Sequence, residues 1–160
     1  MGVGKSSVGQ FLAHLLGFEH ADTDSRIEAE VGCTVSEIFA QSGEDRFRLL
    51  EQELAKSLES TTGMVISTGG GFVLNPVNLS SLQSHAYVIC LWASPETILE
   101  RVRHRHHRPL LKDADPLQQI RSLLDQRTPL YRQADVIVTT EHRSARQVAQ
   151  QVLSHYQRYH

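Results

Sequence analysis

The amino-acid sequence predicts an α/β fold in three layers, a parallel sheet with helices on both faces. Three observations lead there. Short apolar runs, notably residues 64–67 and 87–91, alternate with stretches whose apolar residues recur at helical spacing. These runs are apolar throughout rather than alternating, as strands covered on both faces are. A glycine-bearing loop, Gly2-Val3-Gly4-Lys5-Ser6-Ser7, passes straight into an amphipathic helix. Parallel α/β sheets bind phosphate with such a loop, at the C-terminal ends of their strands.

The first helix follows the loop at once, with Val8, Phe11, Leu12, Leu15 and Leu16 as its apolar face. Residues 18–21 form a brief extended piece ending at Asp22. Residues 25–30 read as helix, stopped by Gly32. Thr34-Val35-Ser36-Glu37 is a capping box that opens a short helix through Ala40. After Gly43, the residues Phe47, Leu50, Leu54 and Leu58 mark one face of a longer helix. Met64-Val65-Ile66-Ser67 is a buried strand, broken by Thr68-Gly69-Gly70-Gly71, and residues 87–91 form a second. Ser94-Pro95-Glu96 supplies a cap, a proline at the first helical position and an early acid, for a helix to about Arg103. Residues 104–115 are polar and basic without periodicity. Residues 116–132 read as helix, 135–139 as strand and 144–159 as the last helix. No linker, repeat or low-complexity segment divides the 160 residues, so one domain spans 1–160.

Composition narrows the function. At 40% hydrophobic the chain buries a sizeable core, and a net charge of −2 gives no general attraction to nucleic acid or membrane. The basic residues are mostly arginine, lysine occurring only as Lys5, Lys56 and Lys112, and Arg101, Arg103, Arg105 and Arg108 crowd together. Arginine suits bidentate recognition of carboxylate and phosphate, so the bias points to small anionic ligands, although a solvated charged face explains a milder one. Cys33 and Cys90 belong to no paired pattern and imply a reducing cytoplasm. No stretch reaches membrane-spanning length, and no apolar signal segment follows Met1. His104, His106 and His107 lack a spacing with settled metal geometry.

The loop names the chemistry. Its glycines let backbone N–H groups close around phosphate, Lys5 reaches the β/γ-phosphates, and the Ser6 hydroxyl coordinates magnesium. The opposing reading is a flexible terminal tail; the helix that starts directly afterwards argues against it. Asp22-Thr23-Asp24 follows a strand, and two carboxylates at i, i+2 face the same way, one toward metal and one toward an acceptor hydroxyl. The same tripeptide is equally suited to capping the next helix. Gly69-Gly70-Gly71 admits a ligand against bare backbone.

Taken together, the sequence resembles the shikimate kinase family over nearly its whole length. The resemblance rests on Gly4-Lys5-Ser6, Asp22-Thr23-Asp24, Gly43-Glu44 with Phe47-Arg48 and Glu51, Ser67-Thr68-Gly69-Gly70-Gly71, Arg108-Pro109-Leu110-Leu111, and Arg127 with Pro129-Leu130-Tyr131-Arg132. It implies a P-loop kinase fold with a lid at about 104–115. The implied activity is ATP-dependent phosphorylation of the 3-hydroxyl of shikimate, with Mg2+, by a cytoplasmic monomer. By the same resemblance Gly2, Val3, Gly4, Lys5, Ser6 and Ser7 hold the ATP phosphates, and Ser6 and Asp22 attend the metal. Asp24, Arg48, Gly70 and Arg132 hold shikimate, the two arginines gripping its carboxylate. Lys5, Asp24 and Arg108 carry the transfer, and Arg101, Arg108 and Arg143 contact the nucleotide. Thr139-Thr140 stands where the family often has an aspartate. The competing readings are another small-molecule P-loop kinase, such as a gluconate kinase, and a non-catalytic nucleotide-binding module with an incomplete loop.

The family also has a buried strand before the loop, whereas here the motif's first glycine falls just before Met1. That strand lies in mid-sheet, between residues 64–67 and 87–91. Without it, two inner edges with unpaired N–H and C=O groups and an unfilled slot are expected. A buried polar group without a partner costs about 1–3 kcal/mol, against a margin of about 5–15 kcal/mol for a whole domain. The chain as written is therefore expected to be unstable or misassembled, and either a start assigned too far downstream or a sequence trimmed at its front is the expected origin.

Overall fold

The computed structural model describes residues 2–103 and 115–159. In chain order the elements are α1 (Lys5–Leu16), β1 (Glu19–Asp22), α2 (Thr23–Val31), α3 (Val35–Ser57), β2 (Met64–Ser67), α4 (Pro76–His85), β3 (Ile89–Trp92), α5 (Pro95–Val102), α6 (Pro116–Tyr131), β4 (Val136–Thr139) and α7 (Ala145–Tyr159). All strand pairings are parallel. β1 pairs with β2, Glu19 opposite Met64 through Asp22 opposite Ser67; β3 pairs with β4, Ile89 opposite Val136 through Trp92 opposite Thr139.

Successive strand residues face opposite layers, as a two-residue period requires. Val65, Ile89 and Leu91 pack with Val8, Leu12, Val138, Val148 and Val152, the layer of α1 and α7. Ile66 and Val88 pack with Ile27, Phe47, Leu50, Leu54 and Phe72, the layer of α2, α3 and α4. A third cluster gathers Val3, Ala93, Ile98, Val102 and Ile120 between the loop, α5 and α6. The three-layer arrangement is the expected one.

The sheet itself is divided. Among the described residues β2 and β3 do not pair, and the four strands form two pairs. A cavity of about 450 Å³ lies between them, lined by the whole of β2 and β3 and by apolar residues that include Val8, Leu12, Val73 and Leu82. The two inner edges expected from the sequence are thus facing one another. For the same reason Met64, Val65, Ile66 and all of β3 are half-buried, whereas fully buried strands were expected.

Local signals account for most of the elements. Thr34 Oγ1 and the Glu37 carboxylate bond reciprocally to each other's backbone N–H, completing the capping box. The two helices expected on either side of Gly43 run on as a single α3 with a break at that residue, where φ is 78° and ψ 174°. The buried face of α1 is turned from the expected one: Phe11 and Leu15 are 45% and 40% exposed, and Val8, Gly9, Leu12 and Ala13 are buried. Gly9 draws the helix in. A β-carbon there would lie 2.6 Å from Ser67 Oγ and 2.8 Å from His20 Nε2, so only glycine allows this approach. No helix among the described residues is long and apolar enough to cross a membrane.

Candidate active site

The loop residues stand at the C-terminal ends of the strands. Gly2 and Gly4 adopt left-handed conformations, φ 70° and 89°, and Gly4 begins α1 without any side-chain cap. No cap side chain covers the positive end of this twelve-residue helix, an end that favours anions. Val3 is buried against Ile98 and Val102, which anchors the loop from behind. Ser67 Oγ donates to the Lys5 carbonyl at 3.2 Å and lies 3.0 Å from His20 Nε2, tying the loop to both β1 and β2.

Asp22 caps α2, as one of its sequence readings expects, and also meets Ser6. Its Oδ1 accepts from the Asp24 N–H at 3.1 Å as the cap of α2, and its Oδ2 accepts from Ser6 Oγ at 3.1 Å. Among the described residues no group of three or more His, Cys, Asp and Glu could hold a metal ion. A hydroxyl and a carboxylate in contact, beside a phosphate cradle, form the sparse donor set that suits Mg2+, which keeps several waters and phosphate oxygens around it. Ser6 and Asp22 fit such an ion.

The glycine turn after β2 assembles the other half of the site. Thr23 Oγ1 accepts from the Gly69 N–H at 2.8 Å, fixing the turn to the start of α2. A β-carbon at Gly69 would lie 2.6 Å from Asp24 Oδ1, and one at Gly71 would lie 2.6 Å from Arg48 Nη1. The acid and the guanidinium thus press on the two outer glycines of one turn. Between them the Gly70 carbonyl accepts from Tyr131 Oη at 3.1 Å and Arg127 Nη1 at 3.3 Å. This docks the end of α6 on the turn; Arg132, its C-cap, is exposed.

The electrostatics follow from burial. Asp24 Oδ1 is buried without a hydrogen-bond partner. Burial, then the neighbouring Asp22 charge, pushes Asp24 above the usual carboxylate range, against the pull of Lys5. Glu51 is 1% exposed and donates nothing; its Oε2 accepts from Arg48 Nη1 at 2.7 Å. Burial raises its pKa too, partly offset by Arg48. Glu44 Oε1 takes Arg48 Nη2 at 2.6 Å and Nε at 3.1 Å. Burial works against the Arg48 charge, but the bonds to Glu51 and Glu44 leave its pKa raised.

The sequence-derived residues fall into three groups. Lys5, Ser6, Asp22, Asp24, Arg48 and Gly70 are brought together around the loop and the glycine turn, and Arg132 is an exposed residue at the end of α6 with no hydrogen bond or ion pair to them. Arg101 and Arg143 lie apart from it. Arg101 spends Nη1 and Nη2 on the hydroxyl and carbonyl of Thr140, at 2.8 and 2.7 Å, and Arg143 bonds Gln151 on α7. Arg101 does line a cleft with Thr97, Glu100 and His142. Arg108, with 104–114 of the expected lid, lies outside the described residues. Sequence reasoning assigned no role to Glu44, Glu51, Arg127 or Tyr131. The spacing Glu44–Arg48–Glu51, i, i+4 and i, i+3 on a helix, was the available signal for the first two.

Comparison with known proteins shows the family. The shikimate kinase family model matches residues 1–157. A shikimate kinase of Thermodesulfovibrio yellowstonii is 41% identical over 99% of this chain and 91% of its own length. One of Thermus thermophilus is 41% identical over 96% of this chain and 84% of its own. Among solved structures, shikimate kinase from Acinetobacter baumannii in complex with shikimate superposes with a TM-score of 0.91 at 38% identity, covering 99% of this chain and 89% of that one. Shikimate kinase from Aquifex aeolicus gives a TM-score of 0.86 at 34% identity, over 98% and 92%.

Proposed function

This chain belongs to the shikimate kinase family, and we propose that it transfers the γ-phosphoryl group of ATP to the 3-hydroxyl of shikimate. The products are shikimate 3-phosphate and ADP, in the cytoplasmic route to aromatic amino acids. The carrying observation is the glycine turn that receives Asp24 on one side and Arg48 on the other, beside the loop that bears Lys5.

Each residue then has a physical task. The loop N–H groups and Lys5 hold the β- and γ-phosphates and cover the charge that spreads over the transferring group. Ser6 and Asp22 hold Mg2+, which when bound neutralises phosphate charge and orients the chain of phosphates. Arg48, with Arg132, grips the shikimate carboxylate and so sets the ring's position. Gly70 supplies bare backbone against which the ring lies. Asp24 offers its carboxylate to the acceptor hydroxyl. That hydroxyl oxygen bonds to the γ-phosphorus as the bond to the ADP oxygen breaks, and the proton passes to the Asp24 carboxylate. A raised pKa suits a proton acceptor of this kind. Placement in line and charge cover are the main demands of phosphoryl transfer, so Asp24 acts chiefly by orientation. By family resemblance Arg108 adds a further cation over the transferring phosphate, and Arg101 and Arg143 attend the nucleotide.

The experiment is a coupled ADP-release assay with shikimate, gluconate and no acceptor. Turnover dependent on shikimate and Mg2+ is expected. Equal or faster turnover with gluconate, or ATP binding without turnover on any acceptor, overturns the reading.

A further inference from the structure

The Arg48 guanidinium is held by two carboxylates in unlike circumstances. Glu51 is buried, 1% exposed, and takes Nη1; Glu44 is 60% exposed and takes Nη2 and Nε through one oxygen. A planar guanidinium offers a ligand carboxylate two paired edges, Nη1–Nη2 and Nη2–Nε. The first faces Gly71, whose β-carbon position lies 2.6 Å from Nη1 and 3.0 Å from Nη2. The second edge carries Glu44, which is itself 60% exposed.

We propose that Glu44 is a specificity-determining residue: it occupies the guanidinium edge that the substrate carboxylate must take, and yields only to a ligand anion that outcompetes it. Glu51 meanwhile keeps the guanidinium in place. The inference rests on Arg48 as the carboxylate grip proposed above. Three features give the exchange its direction. Glu44 belongs to α3 one residue past the break at Gly43, so it lies on a solvent-exposed turn and can swing away at little cost. Glu51 is enclosed and loses solvation it cannot regain by moving. A ligand carboxylate approaching this second edge finds geometry for two parallel N–H···O bonds, whereas Glu44 offers one oxygen to both donors. A neutral ligand has nothing with which to displace Glu44.

The test compares the unmodified enzyme with E44Q, E51Q and R48K, reading KM for shikimate, with KM for ATP as internal reference. A second acceptor, the methyl ester of shikimate, carries the same ring without the charge. E44Q is expected to lower KM for shikimate about two- to fivefold, the range set by an exposed ion pair. It should also widen the preference for shikimate over the ester, while E51Q raises KM for shikimate. An unchanged or raised KM for shikimate in E44Q, with R48K still raising it, overturns this inference alone. If R48K leaves KM for shikimate unaltered, the carboxylate grip fails and the role of Glu44 fails with it.

Discussion

Replacing Gly71 by alanine isolates the carboxylate grip from the rest of the fold. The backbone there, φ −95° and ψ −13°, is open to any residue, so the methyl adds no conformational strain. It does meet the guanidinium, at 2.6 Å from Nη1, 3.0 Å from Nη2 and 3.1 Å from Cζ of Arg48. Reaching ordinary contact requires a retreat of roughly 1 Å. The Nη1–Glu51 bond of 2.7 Å cannot survive that displacement intact. Glu51 then no longer holds the guanidinium in place for the substrate carboxylate on its other edge; a hydrogen bond to a charged group contributes about 1.5–3 kcal/mol, so displacement that costs the substrate one such bond weakens binding about 10- to 150-fold. On stability the effects oppose: alanine gains about 0.4–1 kcal/mol by restricting the unfolded chain, while the strained Glu51 pair gives back more. A net loss of about 1–2 kcal/mol corresponds to a Tm lower by about 2–8 °C. Steady-state kinetics with varied shikimate, beside a thermal melt, therefore separate the two. The expected result is a folded enzyme with KM for shikimate raised at least tenfold and KM for ATP held. A KM within twofold of the original refutes the placement of the substrate carboxylate at Arg48.

Three further perturbations probe the remaining parts. G69A places its methyl 2.6 Å from Asp24 Oδ1, so it should disturb the acceptor hydroxyl and lower kcat by about 10²-fold, the order expected for a 1 Å misplacement; a KM effect with intact kcat counts against Asp24 as the orienting group. D24N should abolish transfer yet stabilise the fold at neutral pH. The folded pKa of Asp24 is raised, chiefly by burial, so its contribution to stability is complete below the unfolded value and is lost as pH rises through the folded one. The Tm advantage of D24N is accordingly expected to grow from about pH 4 to pH 7, and an advantage that shrinks over that span contradicts the sign. S6A removes one of the two oxygens that meet at 3.1 Å beside the loop. It should raise the Mg2+ concentration for half-maximal activity, and an unshifted titration argues against a metal between Ser6 and Asp22.

Much of this was legible because the signals were local. The capping box at Thr34, the proline and cap at Ser94-Pro95, and the glycine stops at Gly32 and after Ser67 each act within one turn, and the observed boundaries follow them. The helix α4 went unread although Asn75 caps it and Pro76 opens it. Its only buried apolar residues are Leu79 and Leu82, too few to show a periodicity, and Val77 is 65% exposed. The face of α1 was misjudged because close packing selected small residues, Gly9 and Ala13, where a hydrophobic pattern picks large ones. Within the site, the residue types of the loop, Asp22, Asp24 and Arg48 declared their chemistry. The partners of Arg48 stand four and three residues away on the same helix and were open to a local rule, whereas the hold of Tyr131 on Gly70 spans a sequence separation no local rule covers.

The break between β2 and β3 has a bearing on how the two substrates meet. Asp24 and Arg48 follow the β1–β2 half, while Arg101 and Thr140 ride on the β3–β4 half, and among the described residues no ladder of backbone bonds crosses between them. Their alignment is transmitted instead by helical straps: α1 lying across to α7, and α6 reaching from its contact with α5 to the Gly70 carbonyl. Among the described residues it is the packing of those helices, more than a backbone ladder, that joins the two strand pairs.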